Sequence, residues 1–318
     1  MIIKPYAIPF DVLQIEALER RIPRSHPKKG QIQQELKKHM FGQQGEKEVF
    51  YQLQFLPEKH FYLFHNLRLI ENERVFQIDI LVLHPNFITI IEVKHFKGNI
   101  SFNDIGQLVH ESGEVYDHPI NQVEKHKLQF QNWLTYNNFP IPPIETFVVL
   151  GPATKFLPNN TYTKHIQKLV PTSTILPTIL ELAQRYKKPI FRKNQIDQLC
   201  TTVQSAHTPL QKNVLTNFQI QSEDLIQGVL CPICATTVMD RIHGKWFCSA
   251  CEIKEEKCHI HAFNDYYCLI KETITIKEAK QFLNIHRYDL VKYLIKKEQY
   301  KKIGKTKGTK YVLTFKKV

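Results

Sequence analysis

The period of the apolar positions changes several times along the chain. In "FDVLQIEALERRIP", Val12, Ile15 and Leu18 recur at helical spacing, and Pro23 ends the pattern. "RRIPRSHPKKG" reads as a basic linker. "GQQGEKEVFYQLQFL" opens a second helix with Val49, Phe50 and Leu53 as its apolar stripe. Two strands and a connection follow through residue 100, then a polar, hairpin-like stretch, "ISFNDIGQLVHESGEVYD". "NQVEKHKLQFQNWL" is a helix and "TFVVL" a short buried strand. Helix, strands, helix, strand is the order of a mixed α/β domain. Residues 172–225 read as mostly helical, and "CPICATTVMDRIHGKWFCSAC" marks a compositional break. After it the chain reads helix, helix, hairpin. A chain of 318 residues exceeds one ordinary domain. The expected division is 1–39 helical extension and basic linker, 40–185 α/β domain, 186–227 helical linker, 228–256 cysteine-rich module and 257–318 basic tail.

Within "QIDILVLHPNFITIIEVKHFKG" (77–98), an aspartate, a glutamate and a lysine interrupt two runs that otherwise read as buried strands. An unpartnered buried charge costs several kcal/mol or more. Residues two apart on a strand share a face, so Glu92 and Lys94 point the same way. With Pro85 and Asn86 as a two-residue turn, His84 pairs with Phe87 and Asp79 falls opposite Glu92, their Cβ atoms roughly 4.5–5.5 Å apart. A three-residue turn would slip that register by one. Glu46 aligns with the stripe of Val49, Phe50 and Leu53 rather than with solvent, so three carboxylates and one lysine converge on one side of a sheet. Such a set suits metal-assisted phosphodiester hydrolysis. Asp79 and Glu92 would hold Mg²⁺ (or Mn²⁺), and Lys94 would orient the attacking water or stabilise charge developing on phosphorus. The alternative is an internal Glu–Lys ion pair at a strand end.

"GQQGEKEVF", "ERVFQIDILVL", "ITIIEVKHFKG" and "HPINQVEKHKLQFQNWL" together resemble the nuclease-related domain, NERD, of the PD-(D/E)XK restriction-endonuclease-like superfamily, over about residues 40–155. The resemblance implies a restriction-endonuclease-like mixed sheet flanked by helices, with Glu46, Asp79, Glu92 and Lys94 at the active-site positions. Gln122 matches the polar position on the following helix, and His126 lies one turn further on, where a lone histidine is more often a capped or surface residue. Ile78 precedes Asp79 where the superfamily's letters have proline.

Cysteine usage changes the picture at the break. Cys231/Cys234 and Cys248/Cys251 form two CxxC pairs 13 residues apart, a spacing that can present four thiolates to one tetrahedral Zn²⁺ in a structural zinc ribbon. Cys258, His259 and His261 read as bystanders, and Cys200 and Cys268 as buried free thiols. Arg241, His243, Lys245 and Trp246 between the knuckles are candidate nucleic-acid contacts, or part of a spacer or protein-binding knob.

The net charge is +13, and from Lys271 onward 13 Lys and one Arg face four acids, a surplus of +10. Thr275 and Glu278 form a capping-box pattern opening one helix. Leu290, Val291, Leu294 and Ile295 give the next helix its buried face, and "YKKIGKTKGTKYVLTF" reads as a hairpin. Two helices and a basic hairpin resemble a winged helix-turn-helix. In that arrangement Arg287, Lys292, Lys296, Lys301, Lys302, Lys305, Lys307 and Lys310 would face nucleic acid, double-stranded DNA in this reading. No apolar run is long enough for a membrane span or a secretory signal, so a cytoplasmic chain is expected. The combined expectation is a Mg²⁺-dependent deoxyribonuclease core followed by a zinc ribbon and a DNA-binding tail. A DNA-binding protein with an inert core and a protein-interaction scaffold stay open as rivals.

Overall fold

In the computed structural model, residues 1–158, 165–210, 213–305 and 308–316 are described. The chain starts with a short strand β1 (Ile2–Lys4), helix α1 (Phe10–Arg21) and a long helix α2 (Lys29–Leu53). Three strands follow, β2 (Tyr62–Glu71), β3 (Arg74–Leu83) and β4 (Ile88–Lys94). Next come β5 (Gly98–Phe102), β6 (Leu108–His110), β7 (Val115–Tyr116), α3 (Pro119–Tyr136), β8 (Ile144–Leu150), β9 (Thr154–Phe156), β10 (Leu169–Pro171), α4 (Ile175–Arg185) and α5 (Lys193–Ala206). The remainder is α6 (Val214–Phe218), β11 (Asp240–Ile242), β12 (Lys245–Phe247), β13 (Lys254–Glu255), α7 (Cys258–Leu269), β14 (Thr273–Ile274), α8 (Ile276–Phe282), α9 (Tyr288–Lys297), β15 (Lys301–Ile303) and β16 (Lys310–Val312).

The chain forms two compact units, one of residues 1–9 and 38–210, the other of 10–37 and 211–318. The N-terminal 39 residues are therefore not one extension. Their first nine join the α/β unit and the next 28 join the C-terminal unit. The second helix also begins well before the expected Gly42. "KGQIQQELKKHMF" is rich in good helix formers and contains no proline, so the helix extends back to Lys29, just after Pro27 of the basic stretch.

In the first unit a six-stranded mixed sheet has the order β1-β2-β3-β4-β8-β10, with β2, β3 and β4 antiparallel and β1, β8 and β10 parallel to their neighbours. Apolar residues alternate between its two faces. One face packs on α3 and α5 through Phe64, Ile90, Val148, Val123, Phe130 and Leu199. The other packs on α2 and α4 through Leu63, Val82, Ile91, Phe50, Leu53 and Ile179. A smaller sheet, β7-β6-β5-β9, follows the end of β4. Three long strands thus stand where two and a connection were expected. The hairpin between β2 and β3 turns on Asn72 and Glu73, both left-handed (φ 44° and 64°), a primed turn without the glycine that usually announces it.

The second unit has its own interior. Its centre is Arg21, whose side chain is 1% exposed and meets Asp265 of α7 at 2.7 Å through Nε. Nη1 donates to the carbonyls of Ile226 (3.0 Å) and Gly228 (2.6 Å), and the guanidinium lies 4.8 Å over the Phe282 ring. Arg20 donates to the other Asp265 oxygen at 2.7 Å. The cysteine-rich ribbon β11-β12-β13 and the segment from α7 to β16 are not separate cores. Met239 and Trp246 of the first pack in one cluster with Phe263, Phe282, Val291 and Leu294 of the second.

Removing one partner of a buried ion pair leaves the other charge uncompensated. Asp265→Ala is expected to destabilise the second unit by about 3–5 kcal/mol. Urea titration followed by far-UV circular dichroism checks this, and a variant within about 0.5 kcal/mol of wild type would contradict the assignment.

Candidate active site and candidate metal centre

The register of β3 on β4 follows the two-residue turn. Ile80 faces Ile91, Leu83 faces Ile88, and the His84 N–H donates to the Phe87 carbonyl at 3.0 Å. Continued one step, this pairing brings Asp79 to Glu92, but the ladder stops at Ile80. The Asp79 carboxylate takes the Val93 N–H at 2.8 Å in place of a main-chain acceptor. On its other side the β2–β3 ladder skips the Asn66/Asp79 position, and Asn66 is left-handed (φ 49°). Across that gap the face alternation inverts in both strands. Tyr62 and Phe64 share a core with Leu67 and Leu69, and Ile78 shares it with Leu81. Asp79 thus occupies a point where both ladders open.

The charged groups reach this point from both faces of the sheet, not from one as the sequence suggests. Glu92, in phase with Ile88 and Ile90, faces α3. Its Oε1 lies 2.8 Å from Lys94 Nζ, which also donates to Gln122 Oε1 of α3 at 3.1 Å. Glu46 comes from α2 on the opposite face, with Oε2 2.9 Å from His65 Nε2 and Oε1 accepting from Gln43 Nε2 at 2.7 Å. Burial, the charge of Glu92 and the charge of Glu46 together push the Asp79 carboxyl well above the usual carboxylate range, against the Val93 N–H and Lys94. Burial works against the Lys94 ammonium too, but Glu92, Asp79 and Asp117 outweigh it and raise its pKa. His126 is not at the surface: its side chain is 12% exposed, and Nδ1 stands 3.9 Å from Glu92 Oε2 without a hydrogen bond. Burial lowers its pKa.

Sequence reasoning missed Lys4, Tyr6, Gln43 and His65. Only His65, a polar residue in the apolar run "FYLFHNLRLI", left a readable signal. Lys4 reaches the site through the parallel pairing of β1 with β2, which no local pattern encodes.

His95, next to Lys94, is packed against two glycines, and its ring centroid lies 4.2 Å from that of Phe41 with the planes tilted by 39°. A Cβ on Gly45 would lie 2.4 Å from His95 Cβ, and one on Gly151 1.8 Å from its Nδ1. Gly45 is therefore a close-approach position between α2 and the end of β4.

Residues 41–151 match the family model described as the nuclease-related domain. This stretch is a nuclease-related domain, NERD. No curated protein matches the chain, and no solved structure does. The NERD match spans β2, β3, β4, α3 and β8, and with them Glu46, Asp79, Glu92, Lys94 and Gln122. It suggests a nuclease-like function and nucleic-acid binding. No helix among the described residues is long and apolar enough to cross a membrane.

In the second unit the ligand atoms of Cys231, Cys234, Cys248 and Cys251 all lie within 4.8 Å of one another. Among the described residues this is the only set of three or more His, Cys, Asp or Glu so gathered. The two CxxC turns are built alike. Ala235 N–H donates to the Cys231 carbonyl at 2.9 Å and Glu252 N–H to that of Cys248 at 2.8 Å, with Ala235 and Glu252 both left-handed. That repetition folds each loop around its pair of thiols, and the quartet could bind zinc. Cys258 is buried outside this set, and Cys200 and Cys268 are buried free thiols. Trp246 is 2% exposed under the Arg241 guanidinium, so it is a core residue and not a nucleic-acid contact. Arg287, Lys292, Lys296, Lys301, Lys302, Lys305 and Lys310 are exposed, and Lys307 lies outside the described residues.

Two outcomes follow from these contacts. Gly45→Ala should cost about 1–3 kcal/mol by overpacking and displace the end of β4, which thermal denaturation together with a crystal structure of the variant would reveal. Zinc analysis should find one ion per chain, and a strong chelator or Cys248→Ser should remove the melting transition of the whole second unit, since ribbon and helices share a core. A second-unit transition that survives metal release would refute the shared dependence.

Proposed function

We propose that the protein is a divalent-metal-dependent nuclease acting on DNA, with Asp79, Glu92 and Lys94 at its centre and Glu46 and Gln122 assisting. The observation that carries this reading is the convergence of Glu92 and Glu46 on Asp79 at an opening between strands, with Lys94 as the neighbouring cation. Burial first, and then the charges of Glu92 and Glu46, raise the Asp79 pKa against Lys94, which supports a site that a bound cation would favour. An oxygen-donor set of two carboxylates suits Mg²⁺ or Mn²⁺, which completes its shell with water and phosphate. Asp79 and Glu92 would hold that ion, which supplies Lewis-acid polarisation of the phosphoryl group and a lower pKa for the attacking water. The alternation of β4 puts Lys94 on the face of Glu92, where Gln122 restrains its ammonium for water orientation and for charge stabilisation on phosphorus. Glu46, held on two sides by Gln43 and His65, is oriented as a second acceptor for water. Flanking of the mixed sheet by α2 and α4 on one face and by α3 and α5 on the other supports a restriction-endonuclease-like core.

The tail supplies affinity. The order α7, β14, α8, α9, β15, β16, with the sheet order β14-β16-β15, supports a winged-helix reading. The capping box is present, Thr275 Oγ1 accepting from Glu278 N–H at 3.2 Å and Glu278 Oε2 from Thr275 N–H at 2.8 Å. The exposed side of α9 carries Tyr288, Lys292, Tyr293 and Lys296, and β15 adds Lys301 and Lys302. In this reading these groups bind double-stranded DNA, largely through phosphates, and the Zn²⁺-holding ribbon stabilises them from behind.

Cleavage of supercoiled plasmid and linear DNA by wild type and by Glu92→Ala, in Mg²⁺, Mn²⁺ or EDTA, tests the proposal. Metal-dependent cutting reduced at least about 100-fold in Glu92→Ala is expected, with DNA affinity retained. Equal cutting by the variant would refute the site. Absence of cutting by a wild type that binds DNA would instead favour an inert core.

A further inference from the structure

We propose that the first nine residues, which lie outside the stretch matched by the family, are a built part of the candidate active site, with Lys4 positioning both Glu46 and Asp79. This inference rests on the nuclease reading of that site. β1 pairs in parallel with β2, bringing Lys4 to the Phe64 position. From there its ammonium donates to the carbonyls of His65 (2.6 Å) and Asn66 (2.9 Å). These two carbonyls bound the left-handed residue at which the β2–β3 ladder opens opposite Asp79. Lys4 therefore clamps the kink that frees Asp79 from regular pairing.

The same segment orients Glu46 through His65. The Ala7 N–H points to His65 Nδ1 at 3.5 Å, and Nε2 lies 2.9 Å from Glu46 Oε2. With Nδ1 as acceptor, the ring proton sits on Nε2 and is donated to the carboxylate. The Tyr6 ring packs 4.6 Å from the His65 ring, and its hydroxyl donates to the Gln43 carbonyl at 3.3 Å. Gln43 in turn holds the other oxygen of Glu46. The groups facing His65 are thus Lys4 and Tyr6 from the N-terminal segment and Glu46 from α2. Burial and the charge of Lys4 hold its pKa down at about 3, which keeps the ring neutral. Burial lowers Lys4 itself to about 8, against the pull of Glu46, so it is still largely cationic at neutral pH.

The test compares the full-length wild type with Lys4→Met, Lys4→Arg and Tyr6→Phe, reading DNA cleavage kinetics, thermal melting and the His65 imidazole titration by NMR. In Lys4→Met the His65 pKa should rise from about 3 and kcat should fall at least about tenfold with little change in KM, because a slightly misplaced catalytic group is slow rather than unbound. Lys4→Arg should recover most of that loss. A folded Lys4→Met with unaltered His65 titration and unaltered kcat would overturn the proposal, whatever its melting temperature. Should Lys4→Met fail to fold, Tyr6→Phe decides: about a threefold loss of kcat supports the link and none removes it. Should the wild type not cut under any metal, the nuclease reading fails, and the His65 titration alone then decides whether Lys4 governs this cluster.

Discussion

The arrangement of the first unit depends on how one carboxylate, Asp79, is accommodated between strands whose neighbouring positions are apolar and buried. A regular ladder would have turned its side chain into one of two hydrophobic cores, where an unpartnered charge is not tolerated. The chain opens both ladders at that residue instead. Asn66 takes the left-handed conformation on one side, and the β3–β4 pairing ends one residue early on the other, giving the carboxylate the Val93 N–H. The inversion of face alternation on either side of this point lets Phe64 and Leu67, or Ile78 and Leu81, pack into the same core despite their odd spacing. The opening is thus compatible with a complete hydrophobic interior, and it is what lets Glu46 and Glu92 act on Asp79 from opposite faces.

The second unit meets the same demand differently. There a buried charge is fully paired, with Arg21 and Asp265 satisfying one another and the guanidinium also capping the carbonyls of Ile226 and Gly228. The arrangement is structural. The contrast separates the two kinds of buried charge in this chain. At Arg21 Nε and Nη1 donate to protein acceptors, and the guanidinium lies 4.8 Å over the Phe282 ring. At Asp79 the charges of Glu92 and Glu46 oppose ionisation while Lys94 and the Val93 N–H favour it, and burial tips the balance upward.

Much of this was legible in the sequence where the signal is local. "HPNF" sets the β3–β4 register because a two-residue turn leaves no freedom in the pairing that follows. The Thr275–Glu278 spacing marks the start of α8, and the CxxC pairs mark the thiol cluster. What the sequence concealed is either nonlocal or lacks its usual letter. The Asn72–Glu73 turn adopts a glycine conformation without glycine. Trp246 looks like a nucleic-acid contact between two knuckles, yet the core it joins is completed by residues of α7, α8 and α9 that are remote in sequence. Glu46 sits on the stripe read for it, but which face of the sheet α2 would cover was undetermined. Convergence on a single side was therefore the simplest expectation and not the observed one.

Lys4 and His65 mark the limit of local reading most clearly. Nothing in "MIIKPYAIPF" indicates a role near residues 46 and 79, because the link is one parallel strand pairing across some sixty positions. The family match begins only at residue 41, so likeness to known sequences is silent here as well. The physical argument proceeds from the carbonyls instead. A left-handed asparagine within a strand turns its flanking carbonyls out of the ladder, and buried carbonyls need donors. A lysine that supplies two such donors, beside a histidine that orients a carboxylate, joins a backbone requirement to a side-chain one. That coupling explains why a strand of three residues at the edge of a six-stranded sheet can matter to its centre.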